Sequence, residues 1–230
     1  MRSVVLRDNV LNPVFLQKSE RENTMRNRPS NVRKSRRRQE SASTSKRKRG
    51  CDTVAASLFF GGKKMQSYVP DLYVGRFSQI TPERLVAMGI RCVLTDLDET
   101  LVGHGEHRPT QEVLEWVRAL KDAGITVCIL SNNSESRVAP FAREADMLFL
   151  SKAKKPSARR IRLVLDALDL TPEQAVLVGD QLYTDIGAAK NLRIRSILVD
   201  PIVGNNHHVF VDLRRIVWER KLRQTLRKDL

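Results

Sequence analysis

The sequence predicts an α/β fold in which a mainly parallel sheet carries helices on both faces. Two observations lead to it. Short runs of four to six residues are apolar at nearly every position, and stretches with apolar residues at helical spacing separate them. A strand without a polar side must be covered on both sides, which parallel sheets with crossover helices achieve. A third observation concerns how these runs end: on Asp, on Ser-Asn-Asn and on Gly-Asp. In open α/β sheets ligands bind beyond the carboxyl ends of the strands, so these endings are where chemistry is expected.

The elements follow in order from residue 65. Thr81-Pro82-Glu83 reads as a cap with proline at the first helical position, and Gly89 closes that helix. Residues 91–96 are the first expected strand. Thr110 caps a helix carrying Val113, Leu114, Val117 and Leu120, ended by Gly124. "ITVCIL" (125–130) is a strand, 134–144 a helix and "MLFL" (147–150) a short strand. Residues 157–168 place Ile161, Val164, Leu165 and Leu168 on one helical face. Thr171 and Gln174 have the spacing of a capping box, opening only a short turn before the strand "AVLVG" (175–179). A helix over 183–191, the strand "SILVD" (196–200) and a last helix from about 209 complete the reading.

Charge divides the chain differently. Residues 1–64 hold 17 Lys/Arg against 5 Asp/Glu, whereas residues 65–230 hold 24 against 21, within a total of +15. The segment 29–50 is almost devoid of apolar residues. Such composition cannot bury enough surface to offset chain entropy, so 1–64 is expected to be a basic, disordered extension. Its clusters at 33–38 and 46–49 read either as a nucleic-acid arm or nuclear address, or as sequence upstream of a start at Met65. The folded domain is expected over 65–230. Cys92 and Cys128 lie in strand runs and Cys51 outside them, with no CxxC pairing, which suits reduced thiols and a cytoplasmic setting. No apolar run approaches the roughly 20 residues of a membrane span; the best, 54–60, is far shorter.

The first strand runs into Asp96-Leu97-Asp98-Glu99-Thr100, the second into Ser131-Asn132-Asn133, the third into a loop with Lys152, Lys154 and Lys155, and the fourth into Gly179-Asp180, with Asp185 beyond. Carboxylates meeting at one mouth repel unless a cation stands among them. With oxygen donors alone, Mg²⁺ is favoured over zinc. Ser131, backbone amides at a helix start and one lysine make a receptor for phosphate. An Asp carboxylate can attack phosphorus, and a second Asp two residues on can exchange a proton with the leaving oxygen and with water.

"DLDETL", "SNN", "KP" and "GDQLYTD", in this order, resemble the four motifs of the haloacid dehalogenase superfamily of phosphatases. More narrowly, residues 66–225 resemble the YqeG family of subfamily IIIA, related to the mitochondrial phosphatidylglycerophosphatase. "ITPERL", "TDLDETLV", "KAKKP" and "GDQLYTDIGAAKNL" followed by "SILVDPI" carry that likeness. The resemblance implies a Rossmann-like fold and phosphomonoester hydrolysis. It implies Asp96 as nucleophile, Asp98 as acid/base and, through its carbonyl, a Mg²⁺ ligand, Lys155 as stabiliser of the phosphoaspartate, and Asp180 with Asp185 at the metal. Ser131, Asn132 and Thr100 are the expected substrate contacts. Glu99 departs from the Asn common in YqeG-like sequences, and "DLDETLV" also occurs in protein phosphatases acting on phosphoserine tails, from which "GDQLYTD" departs.

Only 32 residues separate Asp98 from Ser131, and 24 separate Lys155 from Asp180. Core elements use them up, so no cap domain is expected, and the mouth would be open to a phosphate on something large, such as a lipid headgroup. Phosphatidylglycerophosphate is the substrate the resemblance implies; a soluble sugar or nucleotide phosphate is the alternative, and a nucleic-acid- or ribosome-associated scaffold using the basic arm is a third. His104 and His107 have HxxH spacing in a glycine-rich loop without further ligands, so exposed loop histidines are expected there, as at His207-His208. In the C-terminal helix Trp218, Leu222, Leu226 and Leu230 recur every four residues among basic ones. Two readings stay open for it: packing on the sheet, or peripheral contact with a membrane surface.

Overall fold

A computed structural model describes residues 68–202 and 223–225. The basic extension, the 54–60 stretch, Cys51, His207-His208 and most of the expected C-terminal helix lie outside the described residues.

Among the described residues six strands form one sheet: β1 (Leu72–Val74), β2 (Cys92–Thr95), β3 (Thr126–Leu130), β4 (Leu148–Leu150), β5 (Ala175–Gly179) and β6 (Arg195–Val199). Their spatial order is β1-β6-β5-β2-β3-β4, with every neighbouring pair parallel. Between them run α1 (Pro82–Ala87), α2 (Gln111–Asp122), α3 (Glu135–Glu144), α4 (Arg159–Ala167) and α5 (Gly187–Leu192). Among the described residues the other expected elements are present with ends shifted by one or two residues. One strand was not legible: β1 has three half-buried residues, too few for any periodicity. The helix expected over 183–191 is instead a wide turn, Leu182–Ile186, that leads into α5.

Alternation along the strands sorts the core into two layers. Val93, Val127, Ile129, Val176 and Val178 face one way and pack with Leu85 of α1, Val113 and Leu120 of α2 and Phe141 of α3. Cys92, Leu94, Cys128, Leu130 and Leu177 face the other way and pack with Ile161 and Val164 of α4 and Leu192 of α5. Each such side chain contributes roughly 1.5–3 kcal/mol by leaving water. These faces, more than helix propensity, therefore hold the short helices in place. Caps set where they begin: the Thr81 and Thr110 side chains accept from the amides of Arg84 and Val113. Where α2 meets the turn before α1, Trp116 Nε1 donates to the Ile80 carbonyl at 2.9 Å, and its ring stands edge-on to Phe77. Both core cysteines are free thiols, and burial pushes Cys92 up to about 12 and Cys128 well above its ordinary value.

The chain winds outward from β2 through β3 to β4, then returns to place β5 on the other side of β2. The reversal opens a crevice at the carboxyl ends of β2 and β5, the switch point where such sheets bind ligands. Among the described residues no additional folded unit stands between β2 and β6, and none caps the crevice.

Candidate active site

Asp96 follows β2 directly, and its amide donates to the Val178 carbonyl, continuing the β2–β5 ladder by one residue. Asp180 follows β5. Asp185 comes from the wide turn, whose amides at Asp185 and Ile186 both bond back to the Gln181 carbonyl. Tight apposition to β5 sets where Asp185 sits: a Cβ on Gly179 would stand 2.4 Å from Asp185 Cγ. Glycine is therefore required for steric reasons at this strand end.

Asp96, Asp180 and Asp185 are all buried, and each offers a carboxylate oxygen within 4.8 Å of the others. Lys155 is buried with them. Its Nζ lies 2.8 Å from Asp96 Oδ1 and 2.7 Å from Asp185 Oδ1. Burial pulls the lysine toward neutrality, but the charges of Asp185 and Asp96 outweigh it and raise it above its ordinary value. Burial pushes Asp96 up to about 6, with the Asp185 charge adding and Lys155 opposing. Asp180 is pushed well up by burial, then by Asp185, Asp96 and Glu99, against the opposing Arg223. Three buried carboxylates face the single ammonium of Lys155, a deficit of positive charge that adds to burial in raising Asp96 and Asp180. A hard divalent cation with oxygen ligands fits both that deficit and that donor set.

The remaining expected residues take different places. The Thr100 hydroxyl is buried and donates to Asp180 Oδ1 at 3.1 Å, so it orients a carboxylate. Asn132 clasps Lys155: its Oδ1 accepts from the Lys155 amide at 2.7 Å and its Nδ2 donates to the Lys155 carbonyl at 3.2 Å. Ser131 is buried, and its Oγ accepts from the Asn133 amide at 3.1 Å, the geometry of a turn that aims a hydroxyl. The carboxylate of Asp98 stands apart from the cluster of three. Its Oδ1 accepts from Arg137 Nη2 and its Oδ2 from Asn133 Nδ2, both at 2.6 Å. Lys152 and Lys154 are exposed, as are His104 and His107 in their loop, as expected.

Sequence reasoning missed Asn133 as a side chain, Arg137 and Arg223. Arg137 lies on the first turns of α3, and an arginine there gives no signal without the fold. Arg223 donates to the carbonyls of Asp180 and Val199 and pairs with Asp200 at 3.6 Å, so a basic residue from the described part of the C-terminal segment backs the ends of β5 and β6. Glu99 occupies the left-handed region (φ 63°), where Asn is better tolerated than Glu. Its amide and carbonyl are tied to Val102 and Ile202.

Residues 35–193 match the haloacid dehalogenase-like hydrolases. A Bacillus subtilis protein named "Probable phosphatase YqeG" is 32% identical over 161 residues, 70% of this chain and 92% of its own length. A phosphoglycolate phosphatase from Agrobacterium fabrum is 29% identical over 102 residues, 40% of this chain and 43% of that protein. The cobalt-bound deoxy-D-mannose-octulosonate 8-phosphate phosphatase of Haemophilus influenzae superposes with a TM-score of 0.37 at 21% identity, covering 41% of this chain and 60% of that one.

Proposed function

The chain belongs to the haloacid dehalogenase-like hydrolases and is a phosphatase, and from that premise we propose that it hydrolyses phosphomonoesters with Mg²⁺ through an aspartyl-phosphate on Asp96. The observation that carries this reading is the cluster of Asp96, Asp180 and Asp185 against the single ammonium of Lys155. Asp96, Asp180 and Asp185, with the Asp98 carbonyl, would hold the metal. When bound, Mg²⁺ supplies charge neutralisation that lets an anionic phosphate approach a carboxylate.

The residues then divide the work. Leu97 N–H and Lys155 both sit on Asp96 Oδ1, which fixes the carboxylate's rotation for attack with its other oxygen. Lys155 stabilises charge that develops as phosphorus changes partners. Asp98 protonates the leaving oxygen and afterwards takes a proton from the attacking water. Ser131 binds the phosphate, whereas Asn132 and Thr100 act through Lys155 and Asp180.

For the substrate we propose phosphatidylglycerophosphate. The likeness to the YqeG family supports it, as does a crevice without a cap, open to a phosphate at the end of a bulky molecule. Peripheral contact with a membrane through the C-terminal segment belongs to the same proposal; among the described residues no helix is long and apolar enough to cross a membrane. A soluble organic phosphate is the second reading, favoured by the likeness to a phosphoglycolate phosphatase. Nucleic-acid contact is proposed only for the basic extension over 1–64.

The test is phosphate release by the full chain from phosphatidylglycerophosphate in vesicles and from phosphoglycolate, with Mg²⁺ or EDTA, beside Asp180→Asn. We expect release from the lipid that EDTA abolishes, and a variant needing at least about 10-fold more Mg²⁺. Release from phosphoglycolate alone would replace the lipid assignment with the soluble one. Release undiminished by EDTA would contradict the metal.

A further inference from the structure

We propose that Arg137 is the positioning residue for the acid/base carboxylate Asp98, a role that rests on the phosphatase reading above and specifies how its proton-transfer group is held. Asp98 lies outside the metal-binding trio, yet its position is not left to solvent. Arg137 Nη2 and Asn133 Nδ2 each take one of its oxygens at 2.6 Å. The pair is largely shielded, with side-chain exposures of 14% for Arg137 and 15% for Asp98.

Arg137 does more than neutralise a charge. The same Nη2 also donates to the Glu106 carbonyl at 2.6 Å. Glu106 in turn closes its own loop, its amide bonding to the Gly103 carbonyl and its side chain accepting from the Gly103 amide. One guanidinium on α3 thus ties the segment after β2 at two points, the Asp98 carboxylate and the loop beyond it. A carboxylate two residues past a strand end has free torsions of its own; two opposed donors reduce them to one orientation. Proton transfer depends steeply on that orientation, since the acid must lie within hydrogen-bond reach of the departing oxygen.

The step affected is the first. The bond between phosphorus and an Asp96 carboxylate oxygen forms, the bond to the ester oxygen breaks, and the acid form of Asp98 passes its proton to that oxygen, leaving Asp98 ionised between Arg137 and Asn133. An ester with an acidic leaving group departs without the proton, and one with a basic leaving group does not. Loss of Arg137 therefore penalises substrates according to the basicity of the leaving group. A residue that gripped phosphate, or merely supported the fold, would penalise all alike.

The experiment measures kcat/KM of the full chain with Mg²⁺ on substituted phenyl phosphates from 4-nitro to 4-methoxy, for wild type, Arg137→Gln and Arg137→Lys. We expect Arg137→Gln to lose about 3-fold or less on the 4-nitro ester and about 30-fold or more on the 4-methoxy ester. Arg137→Lys should restore part of the difference, because one charged donor remains. Asn133→Ser, which removes the opposite donor, should steepen the same dependence and serves if Arg137→Gln does not fold. An equal loss across the series in these variants overturns the proposal while leaving the phosphatase reading intact. A wild type that turns over none of these esters, under conditions where it hydrolyses no other phosphomonoester, removes that reading and this proposal together.

Discussion

At the scale of single residues, the site is built by close approach as much as by charge. Gly179 carries no chemistry, but its missing side chain is the space that Asp185 fills. Gly179→Ala would force Asp185 outward, since Cγ is near the backbone and cannot swing clear. We expect kcat to fall about 100-fold, as displacement of a catalytic group by about 1 Å costs that much, with overpacking lowering stability by about 1–3 kcal/mol. Steady-state kinetics and a melting curve check both; unchanged kcat would show that Asp185 need not lie against β5. The sequence announced "GD" as a strand end, and the carboxylates around it were legible because residue type and strand-end position suffice to find them. What stayed hidden were contacts between distant segments: Thr100 turned onto Asp180, Asn132 onto the Lys155 backbone, Arg137 onto Asp98. Each depends on which loops the sheet order brings together, and no local pattern encodes that.

At the scale of elements, the helices and long strands were readable because buried strands are uniformly apolar and caps such as Thr81 and Thr110 mark helix starts. The strand β1 was not; it pairs with β6 and packs Leu72 and Val74 on the core, and polar contacts from the residue before it add to its hold on the edge. Asp71 Oδ2 accepts from the Ser196 amide at 2.8 Å, the Ser196 hydroxyl at 2.6 Å and Lys190 Nζ at 3.0 Å. Burial pushes this carboxyl up, but the Ser196 and Lys190 contacts prevail and hold it below its ordinary value. A carboxyl depressed in the folded state adds stability that is fully present above its unfolded value, about 3.9. That stability is lost as pH falls through the lower folded value. Asp71→Asn should therefore melt below wild type at neutral pH, by under about 1 kcal/mol because the group is half exposed. The gap should close under acid conditions below about pH 4. A gap that widens on acidification would contradict the assignment. The wide turn at Leu182–Ile186 escaped for another reason: its residues suit an ordinary helix, and only the need to bring Asp185 against β5 distinguishes the two.

At the scale of the whole molecule, one topological fact organises the rest. The strand order reverses at β2, and the crevice this opens gathers Asp96 from the end of β2, Asp180 and Asp185 from after β5, and Lys155 from the loop before α4. The sheet order could not be read from the sequence, although the right-handed crossovers of parallel strands leave few choices. Among the described residues no cap stands over it, which suits a reaction whose second reactant is water. The central claim is that Asp96 becomes covalently phosphorylated during turnover, and borohydride reduction tests it most directly. An acyl phosphate on Asp96 is reduced to homoserine, which peptide mass spectrometry locates. Homoserine is expected at position 96 in full-length chain quenched during turnover with Mg²⁺, and none when substrate is withheld or in Asp96→Asn. Sustained turnover with Asp96 unmodified, or turnover retained in Asp96→Asn, would contradict it.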